Sequence, residues 1–151
     1  KVRREGPLAE VLADVKMPIE TENGASVVLS GKVSSLSSEW KTCCIDAGGW
    51  TFETPTASLA MSSQVRLRVL ARDVSIAVEK PDSISIRNRL QAEVEEIAAH
   101  PSEPAYQLVK LKCPNGEGRL VSRILNQSVT ELGLHPGSQV WALVKASAVI
   151  M

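Results

Sequence analysis

The stretch "SISIRNRL", residues 83–90, gathers a hydroxyl, a guanidinium and a carboxamide within four positions: Ser85, Arg87 and Asn88. Near the other end of the chain, "LVKASAV" supplies an ammonium, a small residue and a second hydroxyl: Lys145, Ala146 and Ser147. Hydroxyls, one or two cations, and backbone N–H groups that a small residue leaves approachable suit a small oxyanion. Backbone amides and neutral dipoles hold a dianion without a large basic patch. The residues alone leave a plainer alternative open, in which Arg87 pairs with a glutamate and Ser85 caps a turn. The oxyanion reading needs the two stretches to meet. In a closed barrel they do, because the first and last strands commonly pair.

Other chemistry finds little support. His100 in "AHPSEP" and His135 in "LHPG" sit in apparent turns and are read as solvent-facing, with no nucleophile or carboxylate in a recognisable arrangement. "SGKVSS" has Gly31-Lys32 but neither the earlier glycine nor the following hydroxyl of a nucleotide-binding P-loop. The chain is therefore not expected to be an enzyme. "EVEEI" reads as a solvated strand face. Cys43, Cys44 and Cys113 show no disulfide framework and no zinc spacing, which suits a reducing compartment; they read as small buried hydrophobes. No cofactor or metal site is expected.

The 151 residues carry 17 basic and 17 acidic side chains, and aromatics make up only 3%. A nucleic-acid or membrane-surface binder usually shows a basic excess, and single-strand binders need stacking rings. Hydrophobic content of 44% promises a folded core. No apolar run is long enough for a membrane span, and "KVRREGPLAEV" lacks the apolar core of a signal peptide. A soluble, cytoplasmic protein is expected, and the absence of an initial methionine suggests a fragment.

The elements that must position these donors are mostly strands. Residues 7–14, "PLAEVLAD", predict a short helix opened by Pro7, and 17–25 a linker. From residue 26 the texture is β. "DAGG" and "PNGEG" each sit between apolar runs as hairpin signals. "TASLAMSS" reads as a connector with one helical turn. "QVRLRVLA" sets Val65, Leu67 and Val69 on one face and Arg66 and Arg68 on the other. "DVSIAVE" predicts the fifth strand of a first unit. "QAEVEEIAA" predicts a strand, although its Ala and Glu content also suits a helix. Ser128 with Glu131 forms a capping-box pattern before Gly133. "SQVRLRVLARDVSI" and "SQVWALVKASAVIM" match at an offset of 75 residues, the mark of a degenerate internal repeat. Two five-stranded units follow, and units this small bury little alone, so they should pack on each other or on a partner. A small Greek-key barrel of the OB type is the natural closure.

"SISIRNRLQAEV" together with "LGLHPGSQVWALVKASAVI" resembles the molybdate-binding domain called Mop, or TOBE in transporters. The matching residues are Ser85, Arg87 and Asn88, then Leu134, Gly137, Val140, Lys145, Ala146 and Ser147; Ile84 stands where the family has threonine. "GPLAEVLAD" resembles the closing helix of an ABC transporter ATPase domain. "VRLRVLARDVSIA" is similar to the segment before the Mop motif in ATP-binding subunits of molybdate ABC importers. The resemblance implies an all-β fold of tandem OB-like five-stranded barrels. Its parts are the end of an ATPase domain and linker (1–24), a first unit (25–82) and a second, Mop unit (83–151). It implies molybdate or tungstate as ligand, with Ser85, Arg87, Asn88, Lys145, Ala146 and Ser147 as oxyanion contacts. Arg87 would reach toward a partner chain. It also implies a homodimer, contact with the ATPase domain of the same subunit, and membrane permease subunits as partners at the inner face of the membrane. The implied role is regulatory: sensing cytosolic molybdate and restraining transport. The alternative is a structural dimerisation TOBE domain of an importer for another substrate. The first unit has no Ser-x-Arg-Asn, and Arg72 and Asp73, in place of its Ser-rich end, read as a structural charge pair.

Overall fold

Residues that alternate apolar and polar form strands here because successive side chains of a strand point to opposite faces. The computed structural model describes residues 25–56 and 59–151, and among these there are nine strands in two sheets. The first sheet contains β1 (Ser26–Ser37), β2 (Thr42–Ala47), β3 (Trp50–Pro55) and β4 (Gln64–Leu70), in the order β3-β2-β1-β4. The second contains β5 (Ser75–Ala77), β6 (Asn88–Ala99), β7 (Tyr106–Lys112), β8 (Arg119–Leu125) and β9 (Gln139–Val144), in the order β5-β9-β6-β7-β8. Helix α1 (Asn126–Leu132) follows β8. The predicted helix at 7–14 and nearly all of the predicted linker lie outside the described residues. The strand reading of "QAEVEEIAA" holds, as part of β6.

Each sheet is organised around a 12-residue strand with a register shift near its middle. β1 pairs with β4 over Ser26–Lys32 and with β2 over Gly31–Ser37. β6 likewise pairs with β9 over Asn88–Glu93 and with β7 over Glu93–Ala99. An irregularity of this kind bends a strand, so one long strand serves both halves of a small barrel. Gly31 lies at the changeover, where an added Cβ would sit 2.8 Å from the Asp46 carbonyl oxygen.

The first unit departs from the predicted five strands. Its sheet has four, and the segment predicted as its fifth crosses over as β5 and pairs with β9 of the second sheet, Ser75 opposite Leu143. The exchange is reciprocal. Ile150, 75 residues after Ser75, pairs with Arg68, 75 residues before Leu143, through N–H···O bonds of 2.7 and 3.0 Å. The 3-10 turns that redirect the chain, Ala71–Asp73 and Ala146–Ala148, lie at the same offset. A single apolar cluster therefore includes Leu67, Val69 and Phe52 of the first sheet with Val94, Leu108 and Val144 of the second. Units too small to enclose a core separately gain one by sharing it.

Polar contacts lock this crossing. The Ser122 hydroxyl, fully buried, donates to the Val74 carbonyl at 2.5 Å. Thr54 Oγ1 donates to the Ala146 carbonyl at 3.3 Å. Ser122→Ala should cost about 1–1.5 kcal/mol in urea unfolding, because the Val74 carbonyl loses its side-chain donor. A change under about 0.3 kcal/mol would show that the bond adds nothing net.

Four local readings need correction. Ser128 does not cap α1: the chain enters the helix directly from β8, Leu125 is the N-cap, and no side chain caps it. Glu131 instead accepts from Gln127 Nε2 at 2.9 Å, while Gly133 ends the helix in the left-handed conformation, as expected. His100 is buried, and its Nδ1 accepts the backbone N–H groups of Ser102 and Glu103, so it organises the β6–β7 turn. "EVEEI" is more than a solvated face: Glu95 pairs with Arg119 at 2.9 Å and Lys110 at 3.7 Å. Residues 59–63 of the connector form no helical turn; Ser62 takes a positive φ of 64° and Ser63 Oγ donates to the Ala60 carbonyl. Cys43 and Cys113 are buried free thiols and Cys44 is half-buried; burial pushes the Cys43 thiol up from its ordinary range.

Candidate functional site

The two donor stretches meet. β6 begins at Asn88 opposite Val144, the last residue of β9, so Ser85 and Arg87 lead into one strand while Lys145, Ala146 and Ser147 lead out of its neighbour. Antiparallel pairing of β6 with β9, the first and last strands of the second unit, produces this, as anticipated for a closing barrel.

The donors then divide between two cavities. One, of about 420 Å³, is lined by Arg87 and Ala146 with Trp40, Thr42 and Glu53 of the first unit. The other, of about 250 Å³, is lined by Lys145, Leu143 and Ile86 with Arg72, Asp73 and Ser75 brought in by the strand exchange. Ser85 and Ser147 are exposed and line neither of these two.

Within the chain, Arg87 already has a partner. Its Nε donates to Glu53 Oε1 at 3.0 Å, with 63% of the arginine side chain exposed. The plainer alternative, a paired arginine, is what the single chain displays. A pair this exposed contributes little to stability, so the guanidinium is readily transferred to another anion. Asn88 is 2% exposed, and its carboxamide spans the backbone of one residue: Oδ1 accepts from Glu53 N–H at 2.7 Å and Nδ2 donates to Glu53 O at 3.0 Å. The geometry gives Asn88 a joining role between the units.

Arg72 and Asp73 are not a charge pair. Among the described residues no ion pair joins them, and both face the same cavity as Lys145. Neighbours in sequence that sit on a tight 3-10 turn diverge, which separates the two head groups. The sequence did contain a signal for this cavity. At the repeat offset, Arg72 stands where the second unit has Ser147. The contributions of Trp40, Thr42 and Glu53 to the Arg87 cavity carried no such signal, since they arise only when the β1–β2 turn, the start of β2 and β3 come up beside Arg87.

Comparisons with known proteins agree with this architecture. The TOBE domain family matches residues 84–151. The molybdenum import ATP-binding protein ModC of Brucella abortus (strain 2308) is 41% identical over 138 residues, which cover 91% of this chain and 37% of that protein. ModC of Methylococcus capsulatus is 32% identical over 145 residues, 96% of this chain and 40% of the relative. ModC of Pseudomonas fluorescens is 35% identical over 148 residues, again 96% and 40%. The chain thus spans about two fifths of the length of these relatives. Among solved structures, the molybdate-bound cytoplasmic molybdate-binding protein ModG superposes with a TM-score of 0.68 at 28% identity, covering 82% of this chain and 92% of that one. Residues 84–151 thus form a TOBE domain, and the chain as a whole is similar to part of the molybdenum import ATP-binding proteins and to a molybdate-binding protein.

Proposed function

We propose that this chain binds a tetrahedral oxyanion, molybdate or tungstate, and is the regulatory part of the ATP-binding subunit of a molybdate importer. The observation that carries the reading is the β6–β9 pairing, which sets Ser85 and Arg87 beside Lys145, Ala146 and Ser147. Arg87 offers a fork of N–H donors, Lys145 a point charge, and Ser85 and Ser147 exposed hydroxyls. A donor set of this kind favours an anion that carries no proton, which selects against hydrogenphosphate. Kinship with the ModC proteins and with a molybdate-binding protein supports the ligand class.

The division of donors between two cavities supports a homodimer as the functional state. One chain directs Arg87 and Lys145 into separate spaces, so a full clamp draws its guanidinium and its ammonium from different copies. The anion then competes with Glu53 for Arg87. Restraint of transport follows if the bound anion prefers the subunit arrangement that blocks the importer, because equal affinity for both states shifts nothing. The ATPase domain of the same subunit and the permease subunits at the inner face of the membrane are the partners through which this acts. The chain itself performs no hydrolysis in this reading.

Titration calorimetry of the chain with molybdate, tungstate, sulfate and phosphate tests the proposal. Molybdate should bind, and Arg87→Ala should weaken it about tenfold, or about 1.4 kcal/mol, as loss of one charge-assisted contact implies. No heat with molybdate at millimolar concentration would sink the reading. The Arg87–Glu53 ion pair favours a second reading, a ligand-free dimerisation scaffold. That reading expects a dimer whose mass and dissociation are unchanged by molybdate.

A further inference from the structure

The cavity of about 250 Å³ beside the crossover has a composition that the Ser-x-Arg-Asn and Lys-Ala-Ser motifs do not account for. Three of its polar residues, Arg72, Asp73 and Ser75, come from the first unit's end, and the fourth, Lys145, from the second unit's. Among the described residues neither cation is held by a carboxylate, and the Ser75 hydroxyl makes no side-chain hydrogen bond. Pockets for drug-sized ligands run to about 300–1,000 Å³. This one is smaller and suits an inorganic ion.

We propose that this cavity is the half of the oxyanion clamp that one chain supplies, in which Arg72 and Ser75 of the first unit act with Lys145 of the second and the Arg87 of another copy completes the site. The inference rests on the oxyanion reading of the chain and adds ligands that the motif residues do not include. The reciprocal strand exchange is what builds it. β5 lies against the outer edge of β9, so the end of the first unit is delivered next to Lys145. At the repeat offset Arg72 replaces the serine found at 147, and the first unit thereby adds a second cation where the family motif has a hydroxyl. Two cations and a hydroxyl around a small dianion form charge-assisted hydrogen bonds, which are about twice as strong as neutral ones.

Asp73 is the opposing element. Its carboxylate lines the same cavity and carries the sign of the ligand. It lowers affinity for a fully deprotonated anion, so the site releases its ligand readily. Removal of that charge should therefore have the opposite effect to removal of Arg72.

The test is calorimetric titration of the whole chain with sodium molybdate at fixed ionic strength, for the unaltered protein and for Arg72→Ala, Arg72→Lys, Asp73→Asn and Arg87→Ala. All these side chains reach solvent, and thermal melting checks that each variant is folded. Arg72→Ala should weaken molybdate at least fivefold, Arg72→Lys should recover most of the loss, and Asp73→Asn should tighten binding threefold or more. An anomalous difference map of tungstate-soaked crystals should place the ion between Arg72 and Lys145. If molybdate binds and Arg87→Ala abolishes it while Arg72→Ala and Asp73→Asn stay within twofold, the cavity is not a site and the oxyanion reading survives without it. If the unaltered chain binds no molybdate, both fall.

Discussion

Asn88→Ala is expected to lower folding stability by about 2–4 kcal/mol, measured as a shift of the urea midpoint with an unchanged slope. β3 is an edge strand of the first sheet, and Glu53 turns its N–H and C=O outward toward β6. The Asn88 carboxamide satisfies both, at 2.7 and 3.0 Å, much as a neighbouring peptide group would. Truncation leaves two backbone groups at a largely closed junction without partners, each costing about 1–3 kcal/mol. Asn88→Asp keeps an acceptor for Glu53 N–H but replaces the donor by a carboxylate that faces the Glu53 carbonyl. It should be worse than the unaltered protein at neutral pH and regain part of the difference in acid, where a protonated carboxyl again carries a donor. A loss below about 1 kcal/mol for Asn88→Ala would mean that water takes over these bonds at no cost. The same result would weaken the view that Asn88 is kept for joining the units rather than for contacting an anion.

Gly116→Ala should cost about 3 kcal/mol, near the upper end for overpacking. The two hairpin turns press backbone to backbone: Gly118 N–H donates to Gly48 O at 2.8 Å, and a Cβ on Gly116 would stand 2.3 Å from Gly48 O and 2.8 Å from Gly49 Cα. Neither neighbour is the flexible end of a side chain, so relief requires the hairpins to part. Gly133→Ala is the internal control. Its φ is 64° and nothing lies within 4 Å of the added methyl, so only the left-handed backbone is penalised, about 1 kcal/mol. Equal losses for the two variants would remove the steric account of the hairpin contact. Because this contact joins the sheets, Gly116→Ala should also loosen the cavities on either side of the crossover, visible as faster amide exchange at Arg72–Ser75.

Much of the strand layout was legible because a period of two is a local property. "QVRLRVLA" shows Leu67 and Val69 inward with Arg66 and Arg68 less buried, and the structure keeps that order. Turn residues marked both hairpins, but in different ways: Gly48 and Gly49 take the positive φ of a two-residue return, whereas "PNGEG" closes a longer loop in which neither Asn115 nor Gly116 has a positive φ. The helix start shows the limit of local spacing. Ser128 and Glu131 have the spacing of a capping box, but spacing cannot show that β8 runs straight into the helix at Leu125. A histidine before proline looks like an exposed turn residue, yet His100 is buried, because whether a turn is covered depends on what packs over it.

Residue types and spacing settle which groups are available: the Ser-x-Arg-Asn and Lys-Ala-Ser motifs, their places before the first and after the last strand of one unit, and the 75-residue repeat that relates the two ends. How those groups are shared out is a matter of packing. Strand exchange is a choice between two equivalent edges, and the alternation that makes a strand says nothing about which sheet it will join. Once β5 crossed to β9 and Ile150 to Arg68, Arg87 came to face Glu53 and Trp40, while Lys145 came to face Arg72, Asp73 and Ser75. Burial drives this arrangement. Neither unit closes a core alone, so the ends of the chain go where the shared core is completed, and the charged residues they carry are placed as a consequence.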